Sequence, residues 1–457
     1  MDAPKRFALR TFGCQMNVHD SEKVANLLHH HGYRPTEALE EADLVLVNTC
    51  SIREKAEHRL YSDLGVLRAW KAAAPGRILG VGGCVAQQEG AALLQRFPQV
   101  DFVFGTHNLR LVPSLAAAAA DGRRSARTEE SRSLERFDLP ERHPAFEGES
   151  PGRAYVTVME GCDMFCSFCI VPTTRGREIS RRAADVEAEV GSLAARGVRE
   201  FTLLGQTVNA YGRHDLRRGR ASAAGTLPFG ELLGRLGRIP GVARLRYTSP
   251  HPLFFDDALV AAHREVEALC PHVHLPLQSG SDSVLERMRR RYTADDYRRV
   301  VERLRGARPD LALSTDLIVG FPGESDADFE ATLALVREVG FVDAYSFKYS
   351  PRPGTAAAAD PDPVPAGVAQ ARLEALQALQ RGLTFAAHEA RVGSETAIRL
   401  EGPSRRGGRQ VSGRDPWHRV VNVPWGPEAL PAAGSFLPVR IVGATPHSLV
   451  AEPLSAA

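Results

Sequence analysis

The sequence predicts an α/β protein with a small all-β domain at its end, and three observations carry that prediction. Short apolar runs alternate with helical patterns from residue 7 to about residue 120, and the same rhythm resumes from residue 154 to about 350. A polar, charge-mixed segment separates the two stretches. After Pro365 a helical stretch runs to about Phe385, followed by a Gly- and Arg-rich tail with short strand-like runs. Strand–helix alternation implies parallel strands joined by right-handed crossovers.

Composition sets the bounds. A chain of 457 residues is long enough for two or three domains. With 43% hydrophobic and 25% charged residues it is an ordinary globular chain, which excludes the disordered and collagen-like classes. A formal net charge of +2 neither demands nor forbids a nucleic-acid partner. No apolar run approaches the ~18 residues of a membrane span, and residues 1–10 show no signal-peptide core. A cytoplasmic location with no membrane partner is therefore expected. In a reducing compartment seven cysteines read as metal ligands or buried thiols rather than a disulfide framework.

In the first stretch, residues 7–11, 44–47 and 78–81 read as strands, with helices from Asp20 or Ser21 through His31, around 52–73 and after Ala86. Cys14, Cys50 and Cys84 each follow one of these strands. Ligands bind outside the carboxyl ends of the strands in an open parallel sheet. The three thiols thus converge on one edge, where they can hold an iron–sulfur cluster with one iron left open. Each alone would read as a small buried core thiol. The run His29-His-His31 reads as a solvated helix end favoured by the helix dipole rather than as a metal site.

In the second stretch strands are expected at 154–159, 200–204, 244–248, 272–276, 312–319 and 343–349. Six βα units in a row suggest a curved parallel sheet or partial barrel, with chemistry at the C-terminal strand ends. Gly161-Cys-Asp-Met-Phe-Cys-Ser-Phe-Cys169 follows the first strand and Gly205–Gly212 the second. Seven cysteines placed at random would put two more at +4 and +7 in only about 0.002 of such chains. Three thiolates with no fourth nearby leave one iron of a cluster open for chemistry. A three-thiolate zinc site is the rival, but zinc favours paired Cys-x-x-Cys with His, and the loop holds no His. Cys270 has no partner spacing and reads as a core thiol. The tail from Arg381 onward carries nine Arg, no Lys and six acidic residues. Its short runs at 395–400, 420–423, 436–441 and 448–451 suggest an oligonucleotide-binding type of β-barrel. There Arg405, Arg406, Arg409 and Arg414 beside Trp417 are candidates to grip phosphates and stack on a base, unless they form a solvated turn. The domain division is 1–122, a linker at 123–147, a core at 148–380 and the barrel at 381–454.

Cys-x3-Cys-x2-Cys resembles the signature of the radical S-adenosylmethionine (SAM) enzymes. The resemblance implies that Cys162, Cys166 and Cys169 hold a [4Fe-4S] cluster that cleaves SAM to a 5′-deoxyadenosyl radical. With the three N-terminal cysteines and the terminal barrel, nearly the whole chain is similar to the methylthiotransferase family, whose tail is called a TRAM domain. The similarity extends to Cys169-Ile-Val-Pro-Thr-Thr-Arg-Gly-Arg177, Leu204-Gly-Gln-Thr-Val-Asn-Ala-Tyr211, Leu275-Pro-Leu-Gln-Ser-Gly-Ser281 and Asp316-Leu-Ile-Val-Gly-Phe-Pro-Gly-Glu324. It is this resemblance that selects the partial barrel. Gly205–Tyr211 and Arg290-Arg-Tyr-Thr293 resemble the MiaB-type tRNA enzymes most, which methylthiolate C2 of N6-isopentenyl-adenosine at position 37. Sister types act on threonylcarbamoyl-adenosine or on a ribosomal-protein aspartate. A non-enzymatic RNA-binding iron–sulfur protein is the reading from another class. Met164-Phe165 and Ser249-Pro-His-Pro252 depart from the usual pattern without touching a ligand.

The resemblance implies an auxiliary [4Fe-4S] cluster on Cys14, Cys50 and Cys84, two SAM per turnover, a tRNA substrate and an electron donor such as flavodoxin or ferredoxin, in a monomer. Adenine C2–H is too strong for acid–base catalysis, so no acid or base is expected. Gln206, Asn209, Gly320, Gly323 and Glu324 are candidate SAM contacts, with ordinary loop and turn roles as the alternative. Arg175 and Arg177 are candidates for RNA phosphate or SAM carboxylate, against plain surface solvation.

Overall fold

A computed structural model describes residues 4–51, 54–146, 151–219, 221–404, 407, 409–426 and 430–454. The chain forms two compact units, one of Met1–Glu149, Glu160–Asp163 and Ile170–Arg181, the other of Ser150–Met159, Met164–Cys169 and Arg182–Ala457.

The first unit is built on a parallel sheet of β1 (Arg6–Phe12), β2 (Arg34–Pro35), β3 (Leu44–Thr49), β4 (Ile78–Gly83), β5 (Phe102–Phe104) and β6 (Ser125–Arg127), in the order β2-β1-β3-β4-β5-β6. Its helices are α1 (Gln15–His30), α2 (Glu54–Ala72), α3 (Cys84–Glu89), α4 (Ala91–Arg96), α5 (Val112–Ala120) and α6 (Val171–Arg175). A sheet covered on both faces needs near-continuous apolar strands, and every residue of β3 is buried. Val45, Val47, Leu79 and Val81 pack with Leu60, Leu64 and Leu67 of α2, while Leu44, Leu46 and Ile78 face Val24 and Leu28 of α1. The expected linker is part of this unit. Ser125–Arg127 pairs with β5, and Asn26 Nδ2 donates to the carbonyls of Pro140 and Glu141. Backbone pairing, which needs no apolar periodicity, holds this segment in place.

In the second unit β7 (Arg153–Thr157) precedes β10 (Glu200–Leu204), β11 (Arg244–Tyr247), β12 (His272–His274), β13 (Ala312–Val319) and β14 (Asp343–Lys348), while of the two-residue strands β8 (Met159–Glu160) and β9 (Ile179–Ser180), Glu160 and all of β9 belong to the first unit. Parallel sheets β11-β10-β7 and β12-β13-β14 are joined by a bridge between Leu245 and Leu269 and by Cys270 N donating to Leu245 O at 2.9 Å. Spatial order thus follows chain order, with β7 and β14 at the two edges, as in a partial barrel. Helices α7 (Ala183–Ala195), α8 (Arg213–Arg217), α9 (Ala221–Ala224), α10 (Phe229–Gly237), α11 (Asp257–Glu265), α12 (Asp282–Arg287), α13 (Ala294–Ala307) and α14 (Asp326–Val339) lie between the strands. One face of the strands, with Val156, Phe201, Leu203, Leu245, Val273, Leu313 and Leu317, joins the large apolar core. Side chains alternate along a strand, so the other face carries Thr157, Thr202, Arg246, His274 and Asp316.

Helix α15 (Ala366–Glu389) leads into a closed barrel of β15 (Glu395–Pro403), β16 (Gln410–Arg414), β17 (Val420–Pro424), β18 (Phe436–Thr445) and β19 (Ser448–Pro453), ordered β15-β16-β17-β19-β18. The expected boundary at 380/381 falls inside α15, because the helix serves both neighbours. Gln380 Nε2 donates to Phe341 O, and the His388 ring bonds Thr445 O, each at 2.8 Å. The barrel is anchored by a buried charge cluster. Glu200 faces Arg244 at 3.5 Å, Arg246 at 3.4 Å and Arg399 of β15 at 3.6 Å. Burial pushes its carboxyl up, but Arg246, Arg399 and Arg244 together hold it below the ordinary value. Among the described residues no helix is long and apolar enough to cross a membrane.

Candidate iron–sulfur and SAM site

In the first unit, register lines up Phe12, Thr49 and Gly83, the last paired residues of three neighbouring strands. Cys14, Cys50 and Cys84 come two, one and one residues later. The chain makes room for them: a Cβ on Gly13, at φ +149°, would lie 2.4 Å from Cys50 Cβ. A hydrogen bond with Cys50, assisted by Arg175 and the backbone at Asn17 and Met16, brings the Cys14 thiol down to about 6 against burial. Burial pushes Cys84 up, with Arg175 opposing. A soft, all-thiol donor set with one member readily deprotonated suits an iron–sulfur cluster. Among the described residues no group of three His, Cys, Asp or Glu side chains is placed to hold a metal ion.

Around these thiols lie polar groups that sequence reasoning passed over. Cys14 Sγ donates to Asn17 Oδ1 at 3.2 Å, and Asn48 Nδ2 donates to Asn17 O and Ser21 Oγ at 2.9 Å. Arg175 is only 2% exposed and pairs with the equally buried Asp20 at 2.7 Å. That interior position replaces the surface role expected for Arg175. Arg177 is half-exposed and grips Asp163 with two bonds of 2.6 and 3.1 Å.

The second thiol set sits on the loop after β7. Cys162 N donates to Gly176 O at 3.2 Å within the first unit. In the second unit Cys169 N donates to Cys166 O at 3.0 Å, and Ser167 is tied by its N–H to Met288 O at 3.0 Å and by its hydroxyl to Arg287 O at 2.7 Å. Arg290 Nη1 donates to Cys166 Sγ at 3.4 Å. The run from Arg290 had served only to choose between family types, so this contact adds a residue to the site. Phe165, Ser249 and Gln278 all adopt positive φ, +50°, +58° and +73°, a conformation that costs a non-glycine residue energy and gathers at functional sites. All three lie on loops that follow strands of this unit.

The remaining candidates have structural work. Asn209 is spent on the backbone of His251, donating to its O at 3.0 Å and accepting from its N at 2.8 Å. Glu324 accepts from Gly320 N at 3.1 Å and from Arg372 of α15 at 2.7 Å. A Cβ on Gly320, at φ +70°, would meet Ala369 at 2.6 Å, and Gly323 sits at φ +72°, a conformation that L side chains rarely adopt, so local structure accounts for both glycines. Gln206 is half-buried at the end of β10. In the barrel, Trp417 Nε1 donates to Asp310 O at 2.7 Å, and Arg391 lies 4.0 Å over its ring. Arg414 donates to His418 O at 2.9 Å and faces Glu401 at 3.3 Å. Both side chains, the candidates for base stacking and phosphate contact, also make contacts within the unit. Arg405 and Arg406 lie outside the described residues.

Comparison with known proteins adds independent findings. The model described as "Uncharacterized protein family UPF0004" matches residues 6–105, and that of the "Radical SAM superfamily" matches residues 156–336. A tRNA-2-methylthio-N(6)-dimethylallyladenosine synthase of Geobacter metallireducens is 48% identical over 453 residues, 99% of each chain. Its namesake from Geobacter sulfurreducens is 48% identical over 422 residues, 92% of each. Among solved structures, the radical S-adenosylmethionine methyltransferase TsrM of Kitasatospora setae aligns with a TM-score of 0.54 at 16% identity, covering 89% of this chain and 82% of its own. The cobalamin-dependent radical enzyme OxsB aligns at 0.52 and 9% identity, covering 83% and 56%. At such identities the two structures show a shared fold alone.

Proposed function

The chain belongs to the tRNA-2-methylthio-N(6)-dimethylallyladenosine synthase family, and from that premise we propose that its two thiol sets serve methylthiolation at C2 of N6-isopentenyl-adenosine 37 in tRNA. The observation that carries the reading is the coincidence of near-full-length identity with two separate three-cysteine sets on loops that follow parallel strands. When bound, two [4Fe-4S] clusters and two SAM supply the radical cleavage of C2–H and the sulfur and methyl that replace the hydrogen.

The chain's own residues hold and orient these groups. Cys14, Cys50 and Cys84 would ligate one cluster and Cys162, Cys166 and Cys169 the other, each leaving one iron without a protein thiolate. Buried Arg175 lowers the cost of negative charge beside Cys14 and Cys84. Arg290 holds Cys166 in place through its N–H···S contact. The Arg372–Glu324–Gly320 chain fixes the loop after β13, the loop that the reading assigns to shaping the SAM site. Gln206 remains a candidate SAM contact, whereas Asn209, Gly320, Gly323 and Glu324 support the loops that shape the site. Arg177 and the barrel's arginines are the candidates for RNA phosphate. The division at residues 122, 147 and 380, the TRAM name for the barrel, a flavodoxin or ferredoxin donor, a monomeric state and a cytoplasmic location belong to the same proposal.

The test is reaction of the cluster-loaded enzyme with SAM, a low-potential reductant and an anticodon stem-loop bearing isopentenyl-adenosine. A product heavier by one methylthio group less one hydrogen, formed together with 5′-deoxyadenosine, supports the reading. SAM cleavage without change in the RNA would move the substrate to another macromolecule.

A further inference from the structure

The polar face of the second unit's sheet changes character at β12–β14. Thr157, Thr202 and Arg246 are buried on it, but along the edge strand it opens, with Tyr345 53% and Phe347 42% exposed. Register sets His274 beside Ser314, Asp316 beside Tyr345, and Ile318 beside Phe347. His274 is fixed from both ring nitrogens, Nδ1 to Ser314 Oγ at 2.9 Å and Nε2 to Asp316 Oδ2 at 3.2 Å. Its ring lies 5.8 Å from that of Tyr345. The result is an open aromatic and aliphatic platform with one oriented carboxylate at its side.

We propose that this face is the subsite for the target base, with Tyr345 and Phe347 receiving adenine and its apolar N6 substituent and Asp316 accepting the N6–H. The assignment rests on the tRNA reading above and deepens it. Planar bases are held by stacking on aromatic side chains. An N6-alkylated adenine keeps a single N6–H, which one carboxylate oxygen can accept. A threonylcarbamoyl substituent carries its own carboxylate, which Asp316 would repel, so the same residue rejects the sister substrate. Position agrees: Asp316 lies on β13 four residues before Gly320, about 13 Å at the usual rise along a strand. The platform therefore sits below the loop proposed to shape the SAM site.

The test is fluorescence anisotropy with the cluster-loaded enzyme and three stem-loops of one sequence, carrying dimethylallyl-adenosine, adenosine or threonylcarbamoyl-adenosine. Wild type is expected to prefer the dimethylallyl form over adenosine by about tenfold. Phe347→Ser and Tyr345→Ala are expected to cut that preference to about threefold or less, and Phe347→Leu to keep most of it. Asp316→Asn should relax the exclusion of the threonylcarbamoyl form. Unfolding midpoint and cluster absorbance control for folding, and substitutions at exposed Phe347 keep the test informative if Asp316→Asn misfolds. A wild-type preference that survives unchanged in both aromatic variants overturns the assignment. So does a tenfold loss of SAM affinity with RNA discrimination intact, which would give the face to SAM. If wild type neither discriminates among the stem-loops nor modifies any, the tRNA reading itself falls.

Discussion

At the scale of single residues, the cysteines are distinguished by their surroundings more than by their spacing. Cys14 has a hydrogen-bonded thiol partner that brings its thiol down, with buried Arg175 nearby, whereas burial pushes the Cys270 thiol up against the opposing pull of Arg246, Arg244 and Arg308. Cys162→Ala and Cys50→Ala should each remove about four of about eight irons per chain, read by iron analysis, while Cys270→Ala should remove none. The Asp20–Arg175 pair is the weak point beside the first set. Removing one partner of a buried pair costs about 3–5 kcal/mol. Asp20→Asn should therefore destabilise the apo-protein by about 3 kcal/mol in urea unfolding, with Asp20→Asn/Arg175→Met recovering much of the loss. A double variant no better than the single one would contradict this account. Spacing alone could expose the six cysteines; it could not show that Arg175 is interior, because burial of an arginine depends on a partner 155 positions away.

At the scale of elements, the sequence was most legible where burial imposes period and least where backbone pairing suffices. The strands at Ala312–Val319 and Glu200–Leu204 matched their apolar runs, since their outer faces meet the helices. Phe102–Phe104 and Ser125–Arg127 are three residues each, too short to show alternation. Gln410–Arg414 carries one buried apolar side chain, Val411, and went unread for the same reason. Barrel anchoring was also invisible, as Glu200 and Arg399 are polar residues in positions that composition assigns to the surface. Glu200→Gln leaves three arginines short of their counter-charge and should lower the unfolding midpoint by several degrees, checked by calorimetry. Acid should act through the histidines that burial holds down, His19, His251, His272 and His418 as well as His263 of α11, and His263 carries a separable share. Burial holds His263 down at about 3, with its ring bonded to Tyr247 OH at 2.7 Å. A folded value below the unfolded one means the unfolded chain takes up the extra proton, so stability falls as pH drops below about 6.5. The loss between pH 7 and pH 5 is about 2 kcal/mol from this group. His263→Gln should flatten that part of the pH–stability profile, and an unchanged profile would refute the assignment.

At the scale of the whole molecule, one chain carries two parallel α/β units, one set of three thiols after individual strands of the first sheet, a second set after β7, and a closed five-stranded barrel. The family assignment joins these parts into one activity on tRNA. The central claim is that both thiol sets are needed for one modification. It is tested most directly by mass spectrometry of tRNA nucleosides from a host lacking its own methylthiotransferases and expressing this chain, its Cys50→Ala form or its Cys162→Ala form. The account predicts 2-methylthio-isopentenyl-adenosine with the wild-type chain and its absence with either variant. Methylthiolated product persisting in the Cys50→Ala strain, or no altered nucleoside with the wild-type chain carrying both clusters, would contradict it.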